Sequence, residues 1–269
     1  MTNYLRRSGR YIFLTVAGVL SVFPLYFMVV SATNTSQDVL ASKLLPGGKL
    51  MENWNNLLAS QDVASAFYHS TVNAVVTTVL ALAVSSIAGY AFEVYHSPTK
   101  DRFMWVLLLA IMIPFAATMI PLFQVFAKLG MINSTWAVVL PVIATPFLVL
   151  IFRQSARSFP HEIIEAARVD GVGELGIFFR MFIPTMRSAY IAATVITFLA
   201  AWNNFLWPKV ILISSDYQTM PMLISNLLAG YVTDYGALML AVLIASVPTV
   251  LLFLFLQRSF VAGFTGSVK

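Results

Sequence analysis

Six long stretches of this sequence contain no Asp, Glu, Lys or Arg, and they constrain the fold more than any other feature. Each has about 20 residues, the length at which a helix crosses a bilayer core of roughly 30 Å. They are residues 11–31, 67–90, 103–126, 135–152, 189–207 and 237–256. With 59% hydrophobic and 10% charged residues, a chain of 269 residues cannot hide its apolar surface in one water-soluble core. We therefore predict an all-α polytopic membrane helix bundle, with six transmembrane helices and one domain over 1–269.

The first stretch has a competing interpretation as a secretory signal peptide, because Ser31-Ala32 resembles a small-residue cleavage site. Its apolar part is longer than the roughly 7–15 residues of a signal peptide, and five further spans follow. We interpret it as a signal anchor that remains as the first span.

Lys and Arg set the orientation. With the amino terminus inside, twelve of the 16 basic residues, Lys269 among them, fall on the cytoplasmic side. The other four are Lys43, Lys49, Lys128 and Lys209. This is the positive-inside pattern, and it predicts that both termini are cytoplasmic. No run of basic residues exceeds two, so the charge indicates a lipid bilayer and not nucleic acid as the partner.

The spans lack the charges that proton-coupled transporters, voltage sensors and intramembrane hydrolases need. Several contain proline, which predicts kinked helices or, alternatively, a bundle that bends during transport. Polar uncharged side chains also enter the second and fifth spans, namely Asn73, Thr77, Ser85, Ser86, Thr194, Thr197, Asn203 and Asn204. Small residues repeat at every fourth position, as Ala81, Ser85 and Gly89 in the second span and Ala189, Ala193, Thr197 and Ala201 in the fifth, and we interpret these rows as packing seams rather than binding sites.

The longest cytoplasmic stretch, 153–188, interleaves charged and apolar residues. Pro160 fits the first turn of a short helix, and Gly171 fits its end because glycine adopts positive φ freely. A second helical piece follows at Glu174–Phe182, and Pro184 is predicted to close it.

This stretch is either an amphipathic element on the lipid surface or a docking element for a soluble partner. Ile163, Ala166 and Ala167 are predicted to share one side of the first helix, since residues three and four apart are neighbours.

The residues of this stretch match a family signature. Glu165-Ala166-Ala167, Asp170-Gly171 and Ile183-Pro184 resemble the EAA loop of ABC importer permeases, with Met181 and Ile183 in place of the usual Ile and Leu and with Ser188 where Pro is frequent. The segment 197–208 is similar to the W-N-x-F-L-W-P motif of carbohydrate-uptake permeases, and 257–263 to their Q-R-x-F-V-x-G ending. The resemblance is closest to the second, shorter permease of maltose-type importers.

This resemblance implies a type I ABC importer permease in the bacterial cytoplasmic (inner) membrane that imports a sugar or oligosaccharide. Its partners would be a second homologous permease, two ATPase subunits that hold ATP and Mg, and an extracytoplasmic sugar-binding protein. The chain itself has no phosphate-binding loop, so it is predicted to be non-catalytic and to bind no cofactor or metal. Residues 153–188 would be the coupling loop, with ATPase contacts at Glu165, Ala166, Ala167, Asp170, Gly171 and Pro184.

Two further groups are candidates for contact with the sugar or with its binding protein. Tyr217, Gln218, Tyr231 and Tyr235 lie in the predicted external loop 211–235. Aromatic faces and amides suit sugars, although anchoring of tyrosines at the membrane interface is an equal alternative. Asn203 and Asn204 either face the pore or make structural hydrogen bonds.

Two other functions remain open from the residues alone. One is a stand-alone secondary carrier, which the lack of charge inside the spans disfavours. The other is a membrane scaffold without a substrate.

Overall fold

The computed structural model describes residues 2–266, without the side chains of 2–6, 8 and 258–266. Lys269, which the charge count assigns to the cytoplasm, lies outside the described residues. The described part is helical and contains no strand, so the all-α prediction is confirmed. Its helices are α1 (Thr2–Ser31), α2 (Ser36–Leu40), α3 (Leu50–Ser60), α4 (Val63–Val94), α5 (Pro98–Ile111), α6 (Phe115–Lys128), α7 (Thr135–Val139), α8 (Pro146–Arg157), α9 (His161–Val169), α10 (Glu174–Ile177), α11 (Ile183–Thr185), α12 (Arg187–Trp202), α13 (Leu206–Ile211), α14 (Met220–Leu228) and α15 (Tyr235–Gly266). A π-helical segment, Phe178–Phe182, joins α10 to α11, and 3-10 turns form at Leu140–Val142 and Ser215–Tyr217.

Four helical segments of the described chain are long and apolar enough to cross a membrane. They are Gly9–Ser31, Val63–Val94, Arg187–Ile211 and Tyr235–Gln257, and they overlap the first, second, fifth and sixth predicted spans. The third predicted span is broken, because α5 and α6 meet at 98°. The fourth is bent by 50° between Thr135–Val142 and α8. The chain thus has four such segments, or up to six when each bent pair is one span.

Proline marks both breaks. Pro114 directly precedes α6 and Pro146 begins α8. Proline has no N–H and disfavours helical backbone in the residue before it, so a preceding helix tends to end. Three other prolines, Pro24, Pro121 and Pro248, remain inside continuous helices. The prediction of one kinked helix over 103–126 is therefore wrong, because two separate helices meet there at 98°.

The chain divides into two compact units. Unit 1 comprises the described residues of Met1–Ala64 and Met220–Val247, and unit 2 those of Ser65–Thr219 and Pro248–Lys269. The prediction of a single permease domain is not tested by this division and stays a prediction.

Hydrogen bonds from polar side chains hold unit 1 together beyond the end of α1. The Asn53 amide donates to the carbonyl oxygens of Ala32 (2.8 Å) and Asn34 (3.0 Å). Asp234 caps α15 by accepting from the backbone N–H groups of Gly236 (3.0 Å) and Ala237 (3.1 Å). These bonds satisfy buried groups that have no partner within a helix.

In unit 2, α4 packs closely against α8. A Cβ atom on Gly89 would lie only 2.6 Å from Phe152 Cβ and 2.7 Å from the Arg153 nitrogen, so no larger residue fits. Ala81, one of the small residues in the predicted row, is buried in a cluster with Leu148, Phe152 and Ala193. This packing joins α4, α8 and α12 and provides the frame for both candidate sites.

Candidate functional site

The coupling loop forms two helical pieces separated by a glycine turn. Pro160 has an extended backbone (ψ 124°) and is the residue before α9, not part of its first turn as predicted. The second piece is longer than predicted, because α10, the π-helical segment and α11 are continuous. Pro184 lies inside α11 and does not close the piece. The preceding residue, Ile183, donates its N–H five residues back to Phe178, which is the π pattern.

Gly171 makes the turn between the two pieces. Its φ of +76° is favourable only for glycine among common residues, because a Cβ atom would approach the following carbonyl oxygen. The Gly171 N–H donates to the Arg168 carbonyl (3.1 Å), and the Val172 N–H donates to the Ala167 carbonyl (2.9 Å). This pair of bonds is a Schellman motif, which fixes the direction in which the chain leaves α9.

A buried aromatic cluster attaches the coupling loop to α4. The ring of Tyr90 lies 5.2 Å from that of Phe178 and 4.8 Å from that of Phe182, measured between centroids. Phe159 contacts Phe182 edge to face at 5.6 Å. The remaining buried members are Ala156, Ile164, Ala167 and Ile177. Because aromatic pairs at these separations are favourable beyond the area they bury, the loop is firmly joined to the membrane helix.

The buried side of α9 consists of Ile164 and Ala167. Ile163, Ala166 and Ala167 are three and four residues apart on α9, as predicted, but only Ala167 of the three is buried and the other two are exposed. A rotation of about 100° per residue separates Ile163 from Ile164, and only contact with the aromatic cluster decides which of them is buried. Ala166 is consequently available to a partner.

Ion pairs make a second attachment nearby. The Arg153 side chain, 6% exposed, donates from Nε to Glu93 Oε2 (3.1 Å) and from Nη2 to Asp101. Arg157, half exposed, reaches the same Glu93 oxygen at 3.2 Å. Since Glu93 lies in the last turn of α4, Asp101 in the first turn of α5 and Arg153 in α8, one buried guanidinium connects three helices.

A third, more exposed attachment involves Arg168 and Glu174, on either side of the glycine turn. Arg168 Nε donates to Glu174 Oε1 at 2.7 Å. This hydrogen bond, with a further one from the Tyr95 hydroxyl, lowers the pKa of Glu174 below its ordinary value. The pKa of Tyr95 is raised, first because of burial and then because of Glu174. The pair holds α9 and α10 at a fixed angle close to the end of α4.

The outward side of the coupling loop makes no such ion pairs among the described residues. Glu165 and Asp170 are exposed and have no ion-pair partner among the described residues. Beside them, Val169 is 88% and Leu175 74% exposed. Together with Ala166 they form a surface of apolar and acidic groups, which is suited to a protein partner that carries cations. Of the predicted coupling residues, Glu165, Ala166, Asp170, Gly171 and Pro184 are exposed, and Ala167 is buried.

The second candidate site is a cavity of about 300 Å³ in unit 2. It lies between α4, the bent pair that contains α8, and α12. Its polar lining residues are Asn73, Thr77, Thr145, Thr197 and Asn204. Its apolar ones are Val138, Val142, Phe147, Leu148, Ile196, Ala200 and Ala201. This mixture of an apolar wall with a few polar groups is typical of small-molecule sites.

The two adjacent asparagines that were predicted as candidates have different surroundings in the structure. Asn204 lines the cavity. Asn203 is not part of its lining, and its amide donates to the Leu199 carbonyl at 2.9 Å as a structural hydrogen bond. The sequence interpretation assigned Thr197 to a packing seam and gave Asn73 and Thr77 no role in a site, although polar residues at helical spacing within apolar spans were the available signal.

The external-loop candidates differ in exposure. Tyr217 is 39% exposed and its ring lies 5.3 Å from that of His69, whereas Gln218 is buried. Tyr231 is fully exposed, and Tyr235 is the first residue of α15. The predicted loop also contains α14, a helix that the sequence interpretation missed. Tyr217 and Gln218 belong to unit 2, and Tyr231 and Tyr235 belong to unit 1.

Comparison with known sequences gives consistent matches. The model of a family described as "Binding-protein-dependent transport system inner membrane component" matches residues 81–265. The chain is 43% identical to the lactose transport system permease protein LacG of Rhizobium radiobacter, over 100% of both chains. It is 36% identical to the arabinooligosaccharides transport system permease protein AraQ of Halalkalibacterium halodurans, over 93% of this chain and 92% of that one.

Comparison with solved structures supports the same fold. The chain is similar to a chain of a bacterial ABC transporter involved in the import of the acidic polysaccharide alginate, with a TM-score of 0.82. The match covers 97% of this chain and 98% of the other at 16% identity, so it bears on the fold alone.

Proposed function

Since this chain belongs to the family of binding-protein-dependent transport system inner membrane components, we propose that it is one permease subunit of an ATP-driven importer for a sugar or oligosaccharide. Chains of this family are non-catalytic components of the inner membrane. The relatives named for lactose and arabino-oligosaccharides support the sugar class. Membership of the family argues against a stand-alone secondary carrier and against a scaffold.

The family implies an ATPase and an extracytoplasmic binding protein as partners, and we assign the rest as follows. A second homologous permease completes the pore. Two ATPase subunits, which hold ATP and Mg, dock on the cytoplasmic side. The apolar stretch Gly9–Ser31 has many exposed side chains, including Ile12, Phe13 and Leu20 at 65–71% exposure, and we assign this surface to lipid or to the second permease.

The observation that carries the proposal is the two-sided construction of the coupling loop. One side is fixed to α4 by Tyr90 and the aromatic cluster. The other side presents Glu165, Ala166 and Asp170 without partners in the described chain. A docked ATPase would pair a cation with Glu165 and approach closely at the small Ala166. Its movement would then pass into α4, because the loop is not free to move alone.

On the other side of the membrane, we assign Tyr231 to contact with the sugar-binding protein. Its ring is fully exposed beside Val232, which is 85% exposed. Aromatic residues in such positions are frequent anchors of protein interfaces. Tyr217, Gln218 and Tyr235 are weaker candidates, because each is more buried than Tyr231.

The test is a charge reversal on the docking surface of the complete importer. Glu165→Arg is expected to abolish co-purification of the ATPase subunits, and with it the ATP-dependent uptake of labelled neutral oligosaccharides into proteoliposomes. Glu52→Arg is the matched control, because Glu52 is a surface acid whose exposed pair with Lys49 contributes little. Normal assembly and uptake with Glu165→Arg would refute the docking assignment. Wild-type uptake that persists without ATP would refute the importer.

A further inference from the structure

We propose that α3 (Leu50–Ser60) is an interfacial helix, whose exposed apolar side lies against the acyl chains of membrane phospholipids beside the first turns of α15. The proposal goes beyond the import function and does not depend on the solute. It assigns a partner to a helix that lies outside the six predicted spans. All the residues that carry it belong to unit 1.

The described chain leaves one apolar side of α3 uncovered. The members of this side are exposed, and their helical spacing places them next to one another. They are Leu50, Met51, Trp54 and Leu58, at 41–69% exposure. The buried side, with Asn53 and Leu57, adjoins them, and Glu52, Asn55 and Asn56 form an exposed polar side. A helix that exposes both an apolar and a polar side is typical of the surface of a membrane.

Both ends of α3 are tied to membrane spans. Near its start, the Asn53 amide donates to the carbonyl oxygen of Ala32 at 2.8 Å, and Ala32 directly follows the candidate span Gly9–Ser31. At its other end, Ser60 lies only three residues before Val63, where the next candidate span begins. The helix therefore lies at the level at which two apolar spans end.

A groove joins the exposed apolar side of α3 to the last span. It has a volume of about 390 Å³, and its lining residues are Leu50, Met51, Trp54, Leu240 and Leu243. The last two lie in the second and third turns of α15, roughly 8–12 Å from its start at 1.5 Å per residue. Interfacial helices bury their apolar side to a depth of about 5–10 Å. The groove thus continues the apolar surface of a span at the depth of the outer acyl segments.

A hydrogen bond brings the preceding loop to the same level. The Tyr26 hydroxyl donates to the Leu44 carbonyl oxygen at 2.6 Å, and Tyr26 lies five residues before the end of the first candidate span. Leu45, the next residue, is exposed. Exposed leucines and a tryptophan at the ends of spans fit the boundary between acyl chains and headgroups better than water.

The basic residues of this region are already paired. Lys49 Nζ lies 2.6 Å from Glu52 Oε2, and Lys43 Nζ lies 3.3 Å from Asp38 Oδ1. Such pairs leave little excess positive charge to attract anionic headgroups. The contact with lipid is therefore apolar, and a zwitterionic phospholipid is sufficient for it.

The experiment places the photoreactive residue p-benzoylphenylalanine at position 54 or 51 of this chain, within the complete importer in phosphatidylcholine nanodiscs. Its excited ketone reacts with adjacent C–H bonds, so irradiation should attach one phospholipid, which the mass of the intact chain reveals. Position 55 is the matched control, because Asn55 is exposed on the polar side of the same helix. We expect the yield of lipid adduct at 54 and at 51 to be about fivefold or more above that at 55.

Adducts with the second permease or the binding protein in place of lipid would overturn the proposal. Equal lipid yields at 54 and 55, or no lipid adduct at either 54 or 51, would overturn it too. Equal yields are expected when phosphatidylglycerol replaces part of the phosphatidylcholine, and a yield that requires the anionic lipid would contradict the apolar contact. The measurement does not involve transport, so its failure leaves the proposed function intact, whereas wild-type complexes without ATP-dependent uptake would contradict that function alone.

Discussion

The coupling loop and the cavity belong to the same unit and are built in opposite ways. In the loop, hydrogen bonds hold the glycine turn and the Arg168–Glu174 pair, and the rings of the aromatic cluster pack closely against one another, although the Tyr90 hydroxyl has no partner among the described residues. In the cavity, the buried oxygens of Asn73 and Thr197 have none. The difference teaches that the chain is closely packed where the loop meets α4 and leaves a space between α4, α8 and α12.

Packing connects the two regions. Tyr190 of α12 contacts both the buried cluster of the loop and the cluster around Phe152, to whose ring it lies 4.7 Å away. Leu148 belongs to the second cluster and also lines the cavity. Side chains in contact therefore connect the loop to the lining of the cavity.

The largest effect is expected when the attachment of the loop region is broken at Arg153. Arg153→Met leaves Glu93 and Asp101 without their buried cation. We expect a loss of about 3 kcal/mol in unfolding free energy, at the lower end for a broken buried pair because Asp101 is partly exposed. Thermal unfolding of the purified complex in detergent measures the change.

Arg157→Met is the control for that change, since its half-exposed side chain should contribute about 1 kcal/mol or less. Equal losses for the two variants would show that burial does not distinguish the arginines. The buried ion pairs of Arg153 would then not be a specific attachment of the loop region.

A smaller change in stability, with a large effect on transport, is expected at the glycine turn. Gly171→Val forces a β-branched residue to a φ of +76°, which costs about 1–2 kcal/mol and redirects the chain after α9. We expect ATP-dependent uptake to be lost while the membrane helices remain folded. Uptake into proteoliposomes and co-purification of the ATPase measure this outcome.

Gly173→Ala controls for the loss of a glycine in the same turn. Gly173 has a φ of −67°, and a Cβ atom there meets no other atom within 4 Å. It should transport as the wild type does. If both variants transport normally, the angle set by Gly171 does not matter for coupling.

Much of this comparison could be predicted from sequence, because its causes are local. Long uncharged segments determine where helices can cross a membrane, and Gly171 is the residue that a left-handed turn requires. The structure accordingly has a positive-φ turn at Gly171, where the sequence predicts the end of the first helix of the loop. Asn204 was a reasonable candidate for a local reason as well, since a polar residue within an apolar segment requires a partner.

The rest depends on contacts between distant residues. Pro114 breaks a helix whereas Pro121 is accommodated inside one, and nothing local separates them. Ile163 and Ile164 differ in burial only because the aromatic cluster lies on one side of α9. The cavity is lined by Asn73, Thr197 and other residues on separate helices, and the sequence does not show that these residues lie close together in the fold.

The smallest expected effect concerns pH, and it distinguishes the two regions again. The pKa of Glu174 is lowered by its hydrogen bond with Arg168, so this pair stabilises the loop above the ordinary Glu pKa of about 4.3 and is lost as the pH falls through the lower folded value. The pKa of Tyr95 is raised, so its contribution is present below about pH 10 and is lost only above that. Glu174→Gln should therefore unfold at a slightly lower temperature than wild type at pH 7, and the difference should shrink below pH ~4. A difference that grows on acidification would reverse the assigned sign. The cavity lining has no titratable group, so a change of pH acts on the loop and not on this lining.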